Sequence, residues 1–152
     1  MSQFAIFSGH EDIMRKLREL GSTAVVRRIT RKAARQSMNI VRDTAKENAK
    51  RIDDPVTREK IFKNISTSAG KTRDKNTIKM RVGVRGGASF SNPNPPNTSG
   101  GDTRHWRWIE FGKTGVPAVP FMRPALAMNI ENVINKFSQV FVNELDAELA
   151  KL

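Results

Sequence analysis

Ile130, Val133, Ile134, Phe137, Val140, Phe141, Leu145, Leu149 and Leu152 recur at helical spacing to the last residue. Over roughly six turns this stripe predicts one long amphipathic helix, which must be covered by another element. The cover has to come from upstream, and upstream the pattern changes twice. Ser8 and Glu11 have the spacing of a capping box and predict a helix opening near Gly9, with Ile13, Leu17 and Leu20 on one face. Gly21 is a candidate break. Val25, Val26, Ile29, Ala33, Ile40 and Val41 then continue the helical period to about Arg51, where Asp53, Asp54 and Pro55 end it. A shorter helix is expected over residues 55–64, with Ile61, Phe62 and Ile65 facing inward.

The period then drops to two. Ile78, Met80, Val82 and Val84 alternate with Lys79, Arg81, Gly83 and Arg85, the pattern of a half-buried strand. The stretch Ser66-Thr67-Ser68-Ala69-Gly70 is the expected hairpin partner, across a polar turn at residues 73–76. Residues 86–102 are almost all Gly, Pro, Ser, Asn or Thr and can build no core. A loop of that length, expected to extend over residues 86–104, is either a mobile solvent loop or one that orders against a partner. Residues 105–112, HWRWIEFG, read first as a strand and second as a short helix, with Trp106 and Trp108 as core residues or as platforms for bases. The whole predicts a single α+β domain over residues 1–152, with a long C-terminal helix packed on a small antiparallel sheet.

Composition narrows the function. The 152 residues carry no cysteine, which excludes disulfides and thiolate metal sites and fits a reducing compartment. No apolar run approaches the ~20 residues of a membrane span, and the N-terminus lacks the basic and apolar regions of a signal peptide. His10 and His105 are the only histidines, and neither has a partner at ligand spacing. Asp53 and Asp54 are better read as a helix stop than as an acid pair. Gly112-Lys113-Thr114 lacks the upstream glycine of a phosphate loop. No catalytic residue, metal or cofactor is therefore assigned, and an unrecognised hydrolase is the weakest of the readings.

The net charge is +12. Residues 1–50 hold 11 basic and 5 acidic side chains, residues 51–100 hold 10 and 4, and the remainder is balanced at 6 of each. Between Glu19 and Asp43 there is no acid, and Arg28, Arg31, Lys32 and Arg35 share a helix face. Like charges at this spacing destabilise a helix by a few tenths of a kcal/mol per pair, roughly. The stripe is either a solvated face or a contact for phosphates or for an acidic protein ring.

Trp106, then Glu110-Phe111-Gly112, then Pro120-Phe121-Met122-Arg123-Pro124-Ala125 form two short motifs in close succession before a long helix. In this the chain resembles the tail-component or head-to-tail joining proteins of lambda-like long-tailed phages and prophages. The resemblance implies a non-catalytic structural subunit at the virion neck or upper tail, assembled in the bacterial host cytoplasm. Its implied partners are further copies in a homo-oligomeric ring, a hexamer among the candidates, and neighbouring neck, adaptor or tail-tube proteins. Duplex DNA in the channel would be met without sequence preference, and no membrane is involved. On this reading Arg123 pairs with Glu110, and Phe121 and Met122 anchor the start of the last helix. A stand-alone protein binding nucleic acid non-specifically is the alternative.

Overall fold

The computed structural model describes the backbone of residues 2–152 and the side chains of residues 9–152. Its elements are α1 (Ser2–Leu20), α2 (Thr23–Lys50), α3 (Ile61–Asn64), β1 (Ile65–Ala69), β2 (Met80–Val84), α4 (Trp106–Phe111), α5 (Met122–Ala127) and α6 (Ile130–Leu149). The architecture is α+β, rich in helix, with one two-stranded antiparallel sheet.

α2 is the axis of the molecule. Its break from α1 falls at Gly21, and Ser22 caps it by accepting the Val25 N–H at 3.4 Å. Ile29, Ala33, Ser37, Val41, Ala45 and Ala49 are its buried residues, spaced strictly by four. At 3.6 residues per turn, each such step walks about 40° around the helix. One straight helix can therefore face different neighbours along its length. Toward its N-terminus, Arg28 meets Glu148 at 2.7 Å and Lys32 meets Glu144 at 2.5 Å, which sets α6 antiparallel beside it. Toward its C-terminus, Val41, Ala45 and Ala49 join Ile61, Ile65, Phe121 and Ala125 in the main core. The small alanines let the hairpin and α5 approach closely. β1 and β2 pair in the register Ile65↔Val84 to Ala69↔Met80, which puts Ile65, Val82 and Val84 on the core side.

Several expectations are corrected. The C-terminal helix packs chiefly on α2, with α1 second, and it is α2 that backs the sheet. The hydrophobic stripe specifies a covered face but not what covers it. The stripe also does not run unbroken from the proline segment: α5 ends at Ala127, and Met128 and Asn129 form a turn before α6. α1 starts at Ser2, ahead of the expected capping box, and the Ser8 side chain lies outside the described residues. The helix expected over residues 55–64 shrinks to the single turn α3. Asp53 explains this, because its two carboxylate oxygens accept the Ile61 N–H at 2.8 Å and the Phe62 N–H at 3.2 Å. A side chain eight residues away caps the turn, so the intervening segment loops out.

Residues 86–104 form no helix or strand, yet side chains hold them at both ends. Asn64, fully buried, donates to Thr103 Oγ1 at 2.6 Å and Thr98 Oγ1 at 3.0 Å, and accepts the Gly100 N–H at 2.9 Å. Arg104, 6% exposed, donates twice to Asp102 at 2.9 Å and to the Asn92 carbonyl at 2.7 Å. Its guanidinium lies 4.6 Å from the Phe90 ring centre. Gly100 is packed so tightly that a Cβ would meet the Lys60 carbonyl oxygen and come within 2.7 Å of the Asn64 side chain. Gly100→Ala should cost about 1–3 kcal/mol by overpacking and speed limited proteolysis within residues 86–102; unchanged cleavage would mean that the tether does not depend on this contact.

Candidate functional site

Within residues 105–112, Trp106–Phe111 form the short helix α4, not the strand that their alternation suggested first. The reason is Glu110. On a helix it points inward, where it is 1% exposed. Its Oε2 accepts the N–H of Phe121 at 2.7 Å and of Met122 at 2.9 Å, and its Oε1 accepts the N–H of Arg123 at 2.9 Å. Those are the first free donors of α5, which no intrahelical carbonyl can satisfy. One carboxylate from α4 thus caps the start of α5. Arg123 adds its Nε to Oε1 at 3.0 Å and an Nη2 bond to the Glu110 carbonyl at 2.6 Å. Burial pushes the Glu110 carboxyl up, but the N–H groups of Met122, Arg123 and Phe121 and the Arg123 guanidinium outweigh it. The group sits below the ordinary glutamate value.

The other signature residues serve the same joint. Gly112 has φ 74° and ψ 173°, a conformation largely confined to glycine. A Cβ there would lie 3.0 Å from Ala118 N and Val116 O. Gly112→Ala should lower stability by about 1–3 kcal/mol, read as a lower thermal midpoint; a neutral result would show that the turn can relax. Beyond it, Lys113 and Val116 close a turn with bonds of 3.1 and 2.8 Å, and the Val119 N–H reaches the Ile109 carbonyl at 2.8 Å. Pro120 is exposed. Phe121 is 1% exposed and Ala125 fully buried, both in the main core, with Met122 packed beside them. Pro124 stands third in α5, where its missing N–H costs nothing. Trp106 packs at the core margin and donates Nε1–H to the Gly87 carbonyl at 3.0 Å.

Around this joint lies an aromatic and cationic surface. Phe111 is 56% exposed, with the Arg123 guanidinium 4.8 Å from its ring centre. Trp108 is not a core residue: it is 44% exposed, stacked on Phe90 at 5.1 Å, with Lys113 Nζ at 4.4 Å.

The basic stripe divides. Arg28 and Lys32 are bridged to α6, while Arg31 and Arg35 are exposed and enter none of the ion pairs among the described residues. Their separation on the helix surface is set by α6, which the helical period alone does not place. Asp53 and Asp54 do not converge on a site; Asp54 accepts the Val56 N–H at 2.8 Å. No group of three or more His, Cys, Asp or Glu with metal-binding geometry occurs among the described residues, and none of their helices is long and apolar enough to cross a membrane. Sequence reasoning missed Asn64 and Arg104. Nothing in the residues around Asn64 signals its role, and Asp102 two positions before Arg104 is only a faint cue.

The chain belongs to the HK97-gp10-like family of phage tail components: the model of that family, described as "Bacteriophage HK97-gp10, putative tail-component", matches residues 11–112, more than half of the chain. The match ends at Gly112, so the Glu110 carboxylate lies inside it and the α5 donors that it caps lie beyond. No curated protein and no solved structure matches the chain.

Proposed function

We propose that the protein is a non-catalytic assembly subunit of the head–tail junction or upper tail, a tail-completion or head–tail joining component that works as a homo-oligomeric ring. One observation carries the reading. Leu126, Met128, Ile130 and Ile134 are 47%, 77%, 54% and 52% exposed, within nine positions at the corner between α5 and α6. Apolar surface left in water costs about 25 cal/mol per Å² relative to burial, and clustered exposure of this kind marks interaction surfaces. Asn129, buried at the corner, donates Nδ2–H to Thr44 Oγ1 of α2 at 3.0 Å and to the Ala125 carbonyl at 2.8 Å, which ties the corner to α2. A rigid apolar corner on a charged subunit suits contact with a neighbouring copy, and the neck, adaptor or tail-tube proteins are the further partners.

Light scattering coupled to size exclusion tests this. The expected result is a discrete species at a multiple of 17.1 kDa, which Met128→Glu/Ile134→Glu returns to the single-chain mass with its helix content intact. A wild-type protein that remains a single chain at every concentration, and that does not co-sediment with tails from infected cells, would defeat the proposal.

A further inference from the structure

Cationic side chains from separate elements line two adjoining clefts beside the hairpin. The first, about 240 Å³, is lined by Arg42 and Lys46 of α2, Lys63 of α3, Arg85 just after β2, and Ser66 and Thr67 of β1. The second, about 570 Å³, shares Ser66, Thr67 and Arg85 with it and continues past Ser68 and Arg81 on the outer face of the sheet. Neither is lined by an aspartate or glutamate. Arg42 shares its charge with Asp43 at 2.8 Å, but Lys46, Lys63, Arg81 and Arg85 enter no ion pair among the described residues. The contrast with Arg28 and Lys32, which α6 neutralises, is direct.

We propose that these clefts form a continuous track for the phosphodiester backbone of duplex DNA. Concave walls carrying one sign of charge focus the field between them. Five cations along one path need a ligand that brings several anions in series. A DNA strand supplies one phosphate per ~3.4 Å, and hydroxyls such as Ser66 and Ser68 are ordinary donors to phosphate oxygens. No base-reading element enters the track, so binding is independent of sequence. The inference moves the DNA contact from the N-terminal half of α2, where the charge run alone would put it, to the C-terminal half and the hairpin. It does not rest on ring formation, because affinity for DNA is read the same way from a single chain or an assembly.

The test is the salt dependence of binding to a random-sequence duplex, by fluorescence anisotropy. Each phosphate contact contributes ~0.9 to the slope of log K against log salt. Lys46→Ala/Lys63→Ala/Arg85→Ala should therefore flatten the slope by about 2.7 and weaken binding about 500-fold at 0.1 M salt. Arg27→Ala/Arg31→Ala/Arg35→Ala removes equal charge from the exposed face of α2 and should leave the slope nearly unchanged. Equal losses in both variants, or displacement of the duplex by poly-glutamate of matched charge at the same concentration, would overturn the proposal, as would a wild-type protein with no affinity for DNA. If the first variant fails to fold by circular dichroism, acetylation of the wild-type protein decides. DNA should protect the Lys46 and Lys63 amines while Lys71 and Lys75 in the hairpin turn stay reactive; uniform reactivity would refute the track.

Discussion

Glu110→Ala should lower the free energy of unfolding by about 3–5 kcal/mol, the range for removing one partner from a buried charged network. The substitution strands three backbone donors at the start of α5, and each unsatisfied buried donor costs about 1–3 kcal/mol. Arg123 contributes little to the loss, since its side chain is 56% exposed and water can take over. Glu110→Gln keeps the shape but leaves one acceptor oxygen where two are used, so it should cost less. Urea titration of both variants checks the order; equal stability of Glu110→Ala and wild type would remove the cap from the argument. The pH dependence has a definite sign. A carboxyl whose folded pKa is depressed contributes stability above its unfolded value and loses it as pH falls through the folded one. Wild-type stability should therefore decline below the ordinary glutamate value of 4.5, and Glu110→Gln should lack that part of the decline.

Phe121→Ala should cost about 3–5 kcal/mol as well, for a different reason. Phe121 is the largest fully buried side chain among the described residues, and it joins the core formed by Val41, Ala45 and Ala49 of α2. Truncation loses the transfer free energy of the ring and leaves a cavity that these short neighbours cannot fill. Its backbone is held too: its N–H goes to Glu110 and its carbonyl accepts from Asn48 Nδ2 at 3.2 Å. The α5–α6 corner then loses its foundation while each helix keeps its own sequence. Light scattering should show loss of the assembled species together with a lower unfolding midpoint. A variant that kept both would show that the corner's angle is set elsewhere.

Local chemistry was readable where it is self-contained. The hairpin follows from the alternation of Ile78 to Val84 and its polar turn. The end of α2 follows from Asp54 preceding Pro55. The Glu110–Arg123 pair was legible because the signature motifs carry both residues. Trp106 to Phe111 misled because six residues can satisfy a period of two and a period of 3.6 alike, and the choice falls to Glu110, whose partners lie eleven to thirteen positions away. The track of cations was illegible for a similar reason. Arg42, Lys46, Lys63, Arg81 and Arg85 are scattered over three elements and the segment that follows β2, and only the docking of the hairpin on α2 brings them into line.

By itself the sequence determined the α+β class, the helical character of both long segments, the hairpin and the family, whose match takes in the first motif and ends at Gly112. Those depend on periodicity, backbone chemistry and turn residues, which act over a few positions. Only the tertiary structure decided that α6 lies along α2 and not on the sheet, that this neutralises Arg28 and Lys32, and that Glu110, Asp53 and Asn64 are spent on distant backbone groups. Burial makes those decisions: a polar group taken out of water must find a partner, and the partner it finds depends on how the whole chain folds.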